Sequence, residues 1–75
     1  MSHDMIFDYS KLKGRIIEMY GSLGSFASVM DWSLVTQQKK MKNRVPWTQR
    51  DIALACSALD INAEEIPAYF FAEKV

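Results

Sequence analysis

A single cysteine, Cys56, and a single histidine, His3, remove most of the catalytic and metal-binding repertoire from this chain at the outset. One thiol cannot form an intramolecular disulfide, and there is no second thiol for a zinc cage or a CxxC redox pair. Cys56 lies in the run "LACSAL" and reads as a buried structural thiol. No apolar run approaches the roughly 18 residues needed to span a bilayer. The stretch "MSHDMIFDYSK" also lacks a basic region followed by an apolar one. A reducing cytoplasm is therefore the expected compartment, with no membrane partner. GxGxxG, the P-loop and HExxH are absent as well. Glu64 and Glu65 are neighbours in sequence, so they do not face each other on a helix. With no nucleophile beside a base and no paired acid and base, the chain is not expected to be an enzyme, and no cofactor or metal is implied.

What is present is a compact-domain composition. Of the 75 residues, 49% are apolar and 12% aromatic, enough for one core and too few residues for a second. The expectation is a single domain over residues 1–75, with 1–8 a frayed N-terminus. The formal net charge is zero, but it is unevenly distributed: residues 1–31 hold three basic and four acidic groups, 32–50 hold five basic and none acidic, and 51–75 hold one basic and five acidic. A basic stretch between acidic ends points to a localised anionic partner, because a neutral total does not prevent a local potential of several kT.

Local punctuation divides the chain into short helices. Ser10 precedes "KLKGRIIEMY", where Leu12, Ile16, Ile17 and Tyr20 recur at helical spacing before Gly21 stops the run. Ser25 can cap a second helix, "FASVM", with Phe26, Val29 and Met30 on one face. Asp31 then suits a left-handed helix end, Trp32 can enter the core, and Ser33 can cap a third helix, "LVTQQKKMK", over 34–42. Two short helices joined in this way form a helix-turn-helix unit. Asn43 and Arg44 close the third helix, and Val45 before Pro46 forces an extended step. Thr48 and Asp51 have capping-box spacing ahead of a fourth helix, Gln49 to Leu59, with Ile52, Ala55, Cys56 and Leu59 on its inner stripe. Asn62 can cap one more turn before Pro67, and Tyr69, Phe70 and Phe71 either close the core or meet another subunit. The fold class is all-α, a four- to five-helix bundle containing a helix-turn-helix.

"YSKLKGRIIEMYGSLGSFASVMDWS" and "NRVPWTQRDIALACSALDINAEEIPAYFF" resemble the small Cro-like and repressor-like helix-turn-helix regulators of phages of Gram-positive bacteria. These belong to the lambda-repressor-like class, and the group includes modulator-of-repression proteins. Phe26, Ala27, Met30 and Trp32 stand where that motif wants an apolar residue, a small residue at the helix crossing, a second apolar residue and an apolar turn residue. The chain departs from the pattern at Gln37, where relatives place leucine or isoleucine, at Asp31 in place of glycine, and at Ser25 in place of glutamine. Whether Gln37 points inward stays open at this level, and one residue of register turns the helix face by about 100°.

The resemblance implies a phage regulator of the lysis-lysogeny switch in the bacterial cytoplasm, binding operator DNA through the helix 34–42. Leu34, Val35, Gln38, Lys39 and Lys42 would face the groove. Lys40, Asn43 and Arg44 would meet phosphates, and Ser25 and Ser33 at helix starts would add backbone amide contacts. Such proteins commonly bind half-sites as dimers, so a homodimer is among the expected assemblies. The alternative is a modulator or antirepressor that binds the phage repressor protein through the same surface, with Leu34, Val35, Gln38, Met41 and Trp47 as its contacts.

Overall fold

The computed structural model describes residues 6–74. Five α-helices follow in order: α1 (Ser10–Tyr20), α2 (Leu23–Val29), α3 (Leu34–Met41), α4 (Gln49–Leu59) and, after a 3-10 turn at Ala63–Glu65, α5 (Ile66–Phe70). The described residues are thus all-α, as expected, and no helix among them is long and apolar enough to cross a membrane.

Each of the first four helices ends on a residue that tolerates the left-handed region. Gly21 has φ +81°, and Asp31, Asn43 and Asp60 have φ +64°, +63° and +54°. Asparagine and aspartate visit this region at the least cost among residues with a Cβ. α3 closes in a Schellman arrangement around Asn43: the Arg44 amide donates to the Lys39 carbonyl at 2.9 Å and the Asn43 amide to that of Lys40 at 3.4 Å. α4 opens on the reciprocal Thr48–Asp51 box, with both bonds at 3.0 Å. Its far end is covered by α1: Arg15 Nε donates to the Leu59 carbonyl at 2.9 Å and Tyr20 Oη to that of Ala58 at 2.7 Å. A guanidinium at a helix C-terminus satisfies orphan carbonyls and complements the dipole.

The core gathers Leu12 and Ile16 of α1, Phe26 of α2 and Met30 at its C-cap, Ala55 and Leu59 of α4, and Tyr69 and Phe70 of α5. Burial of each of the large side chains contributes about 1.5–3 kcal/mol. Two of the expected inward residues lie elsewhere: Ile17 and Val29 are 42% and 54% exposed. Periodicity gave each helix an apolar stripe one position too wide, and Ala27, not Val29, completes the inner face of α2 with Phe26 and Met30. α2 also starts earlier than the sequence suggested. Ser22, not Ser25, is its cap, the Ser22 Oγ accepting from the Ser25 amide at 3.1 Å, so that Leu23 joins the helix and packs against the core.

Residues 1–5 lie outside the described residues, but 6–8 are not frayed. They run antiparallel to 72–74, with the Asp8 amide donating to the Ala72 carbonyl at 2.7 Å and the Lys74 amide to that of Ile6 at 2.9 Å. Asn43 covers the opposite edge of Phe7. Its Oδ1 accepts from the Phe7 amide and its Nδ2 donates to the Phe7 carbonyl, both at 2.9 Å. The side-chain amide takes the place of a neighbouring strand and ties the N-terminal segment to the end of α3.

Asn43→Ala should lose both bonds and place a less tolerant residue at positive φ, lowering stability by about 1–2 kcal/mol. That corresponds to a Tm fall of about 5–10 °C for a domain of this size. Asn43→Gly should fall by less, because glycine keeps the backbone geometry. Equal melting curves for wild type and Asn43→Ala would remove the latch from this account.

Candidate functional site

α3 is held by polar groups where a small helical protein usually uses leucines. Its two fully turned-in residues are Gln37, with no exposed surface, and Lys40, 5% exposed. Gln37 therefore points inward, which fixes the register left open by the sequence, and its Oε1 accepts from Trp32 Nε1 at 2.8 Å. Lys40 Nζ donates to Asp51 Oδ2 at 2.8 Å and to the Pro46 carbonyl at 2.9 Å. It lies 4.7 Å from the centre of the Trp32 ring and 5.6 Å from that of Trp47. Two indole faces, a carbonyl and a carboxylate thus replace water around this ammonium. Burial pushes the Asp51 carboxyl up, but hydrogen bonds from Lys40 and Thr48 together with the Lys40 charge outweigh it and hold the group below its ordinary value.

Three of the expected contact residues are thereby corrected. Lys40 is a buried ion-pair partner and cannot reach a phosphate. Asn43 spends its amide on Phe7. Trp47 is no exposed anchor: its ring meets Phe70 at 5.1 Å, Trp32 at 5.8 Å and Tyr9 at 6.2 Å in an aromatic cluster, and its Nε1 is buried. Met41 is half-buried against the core and shows only an edge. Ser25 is exposed, but as the third residue of α2 and bonded to Ser22 Oγ, it does not present a free helix start. Ser33 does cap α3, its Oγ accepting from the Thr36 amide at 3.1 Å.

The outward face of α3 follows from this rotation. Leu34, Gln38 and Lys42 make one row and Val35, Lys39 and Lys42 an adjoining one, all exposed, at the three- and four-residue spacings that share a helix face. Leu34 is 44% and Val35 57% exposed, so the N-terminal half of the surface is apolar. Lys39, Lys42 and Arg44 make the C-terminal half basic. With Lys40 neutralised, these three are the cations of α3 and its closing turn that remain open to solvent. Arg50, the other exposed cation of 32–50, belongs to α4, so three of the five cations stand on this face. Because counterion release scales with the number of phosphates neutralised, the face supports weaker electrostatic DNA binding than the count along the sequence promised. Sequence reasoning also overlooked exposed Ile6 and Leu54, 53% and 46% exposed; nothing in the local pattern separates such residues from core.

The family model described as "Protein of unknown function (DUF739)" matches residues 5–73. No curated protein matches the chain. Among solved structures, the chain is similar to the solution structure of the modulator of repression (MOR) of the temperate bacteriophage TP901-1 from Lactococcus lactis. The two are 38% identical with a TM-score of 0.79, and the alignment covers 92% of this chain and 93% of that one.

Removing the Lys40 charge leaves the Asp51 carboxylate partly buried with only its Thr48 bonds. Lys40→Met should therefore cost about 3 kcal/mol, a Tm fall of 10 °C or more. Because the folded carboxyl lies below its ordinary value of 3.8, its contribution is complete above about pH 5. It is lost as pH falls through that value and below. Asp8, held low by its bonds from Ser10, adds a slope of the same sign, so Asp51→Asn should reduce the acid-side slope of stability without abolishing it. An unchanged slope, read from urea titrations between pH 3 and 6, would mean that Asp51 is not the linked group.

Proposed function

The chain belongs to the DUF739 family, and from that premise and its likeness to a phage modulator of repression we propose that it regulates a temperate phage's lysis-lysogeny switch by binding the repressor protein. The exposed face of α3 is the contact surface. The observation that carries this reading is the pairing of solvent-exposed Leu34 and Val35 at the head of α3 with the withdrawal of Lys40 into the protein. Apolar side chains at the centre of a polar rim suit a protein partner. A surface made for phosphates would keep its cations free. Gln38, Lys39, Lys42 and Arg44 supply the rim, where they set register and steer encounter more than they add affinity. Binding that covered the DNA-reading helix of the repressor would lift repression without any contact between this protein and DNA.

Direct operator binding is the second reading, favoured by Gln38, Lys39 and Lys42 standing together on the outward rows of α3. A glutamine beside lysines offers an adenine-type bidentate contact and charge for guanine or phosphate. The two readings differ in what Leu34 does, since an apolar side chain contributes to DNA recognition only through thymine methyls.

Leu34→Asp and Val35→Asp should each weaken the complex with the same phage's repressor by about 30-fold or more, equivalent to about 2 kcal/mol or more at a hot spot. Melting temperatures should not change, because both side chains are solvent-facing. Calorimetric titration with the repressor, run beside a gel-shift titration on operator DNA at two salt concentrations, separates the possibilities. Salt-sensitive operator binding by this protein alone, with no repressor complex, would overturn the reading.

A further inference from the structure

Beyond the C-terminal end of α3 lies a second surface that the α3 face alone does not explain. It is an open groove of about 700 Å³ between the N-terminal segment, the start of α2, the end of α3 and the C-terminal segment. Its floor is apolar, with Phe7, Leu23 and Met41, and its rim carries Lys13 from α1, Lys42 from the end of α3 and Lys74 from the C-terminal segment. These lysines come from three separate elements, and among the described residues none of them is in an ion pair. The one described carboxylate at the groove, Asp8, is already engaged by the Ser10 amide at 2.9 Å and the Ser10 hydroxyl at 2.6 Å. Three ammoniums outside any described ion pair, of which Lys74 alone feels the charge of Asp8, surround an apolar floor and are complementary to a ligand carrying carboxylates beside an apolar side chain.

Continuity identifies the occupant. Gln38 and Lys42 line the groove and also lie on the outward row of α3 that begins at Leu34, so a partner seated on α3 extends directly into it. We propose that the groove takes an acidic segment of the repressor, its carboxylates on Lys13, Lys42 and Lys74 and an apolar side chain against Leu23 and Met41. This rests on the reading that the repressor is the partner. A nucleic acid backbone would use the lysines but leave the apolar floor unfilled.

The test uses residues outside α3, so that the groove and the α3 face fail separately. Lys13 and Lys74 are both exposed; the double variant Lys13→Glu/Lys74→Glu should melt like wild type. It should bind full-length repressor about tenfold more weakly, chiefly through slower association, with a flatter salt dependence. Lys13→Gln/Lys74→Gln should show about half that loss on a logarithmic scale, and it serves as the second variant should the reversal alter the melt. Undiminished repressor affinity in both double variants, with Leu34→Asp abolishing the complex, would overturn the groove and leave the α3 reading standing. Weakening by the double variants with Leu34→Asp harmless would sustain the groove and overturn the α3 face. If wild type binds no repressor, both fall, and weakening confined to operator DNA would make the groove a phosphate site and overturn the proposal.

Discussion

One carboxylate oxygen, Asp51 Oδ2, joins the two helices on which the candidate surface depends. It accepts from the Thr48 amide, closing the capping box that starts α4, and from Lys40 Nζ, holding α3 against α4. The same ammonium takes the Pro46 carbonyl, so the extended step between the helices is fixed at both ends by one residue pair. A lone ion pair at a surface would contribute little. This one is only 6% and 17% exposed on its two sides and is flanked by indole rings, so it is weakly screened and costly to break. Helix start, loop path and helix rotation are consequently one coupled unit.

That coupling changes the meaning of the basic stretch. Counted along the sequence, residues 32–50 carry five cations without an acid and invite a DNA reading. Folded, one of these cations, Lys40, is removed from the surface to neutralise an acid of the following segment, and the charge segregation that was evident in the sequence is partly cancelled by tertiary contact. What remains outside is a face divided into an apolar head and a basic tail. In the proposed complex with the repressor, electrostatics of this strength would steer the encounter and fix its orientation, while the apolar head would supply the burial.

The sequence made some elements legible because their determinants are local. Gln49–Leu59 has its cap, its box and its stripe within one helix length, and its limits are those expected. Asp31 and Gly21 were readable as helix ends for the same reason. The start of α2 was missed because "GSLG" looks like a loop by its glycines, although Ser22 has the same three-residue spacing to Ser25 that makes it a cap. Lys40 and Asn43 were misassigned for a different reason. Their partners lie 11 and 36 residues away, and side-chain chemistry of that range follows from topology, which no local pattern contains. A hint was nonetheless present: tryptophans at 32 and 47 bracket the lysines, and a capping carboxylate at 51 must lie close to whatever precedes its helix. Periodicity could not separate Leu34 and Val35 from the core, because an apolar residue at a helix start reads the same way on either face; the family resemblance alone placed them outward, where the structure has them.

Polar residues also explain why this helix has one rotation. An apolar side chain at 37 would pack acceptably over a range of helix angles, since burial is non-directional. An amide bonded to Trp32 Nε1 and an ammonium bonded to Asp51 are satisfied at one angle only. The arrangement has a cost. Gln37 Nε2 and Trp47 Nε1 are buried without partners, and each unsatisfied donor costs on the order of 1–3 kcal/mol. A leucine at 37 would avoid part of that penalty and leave the Lys40–Asp51 bond as the directional constraint on the helix. The bonds of Gln37 and Lys40 on the inner face therefore set the rotation that leaves Leu34 and Val35 exposed on the outer one, against the hydrophobic effect that favours their burial.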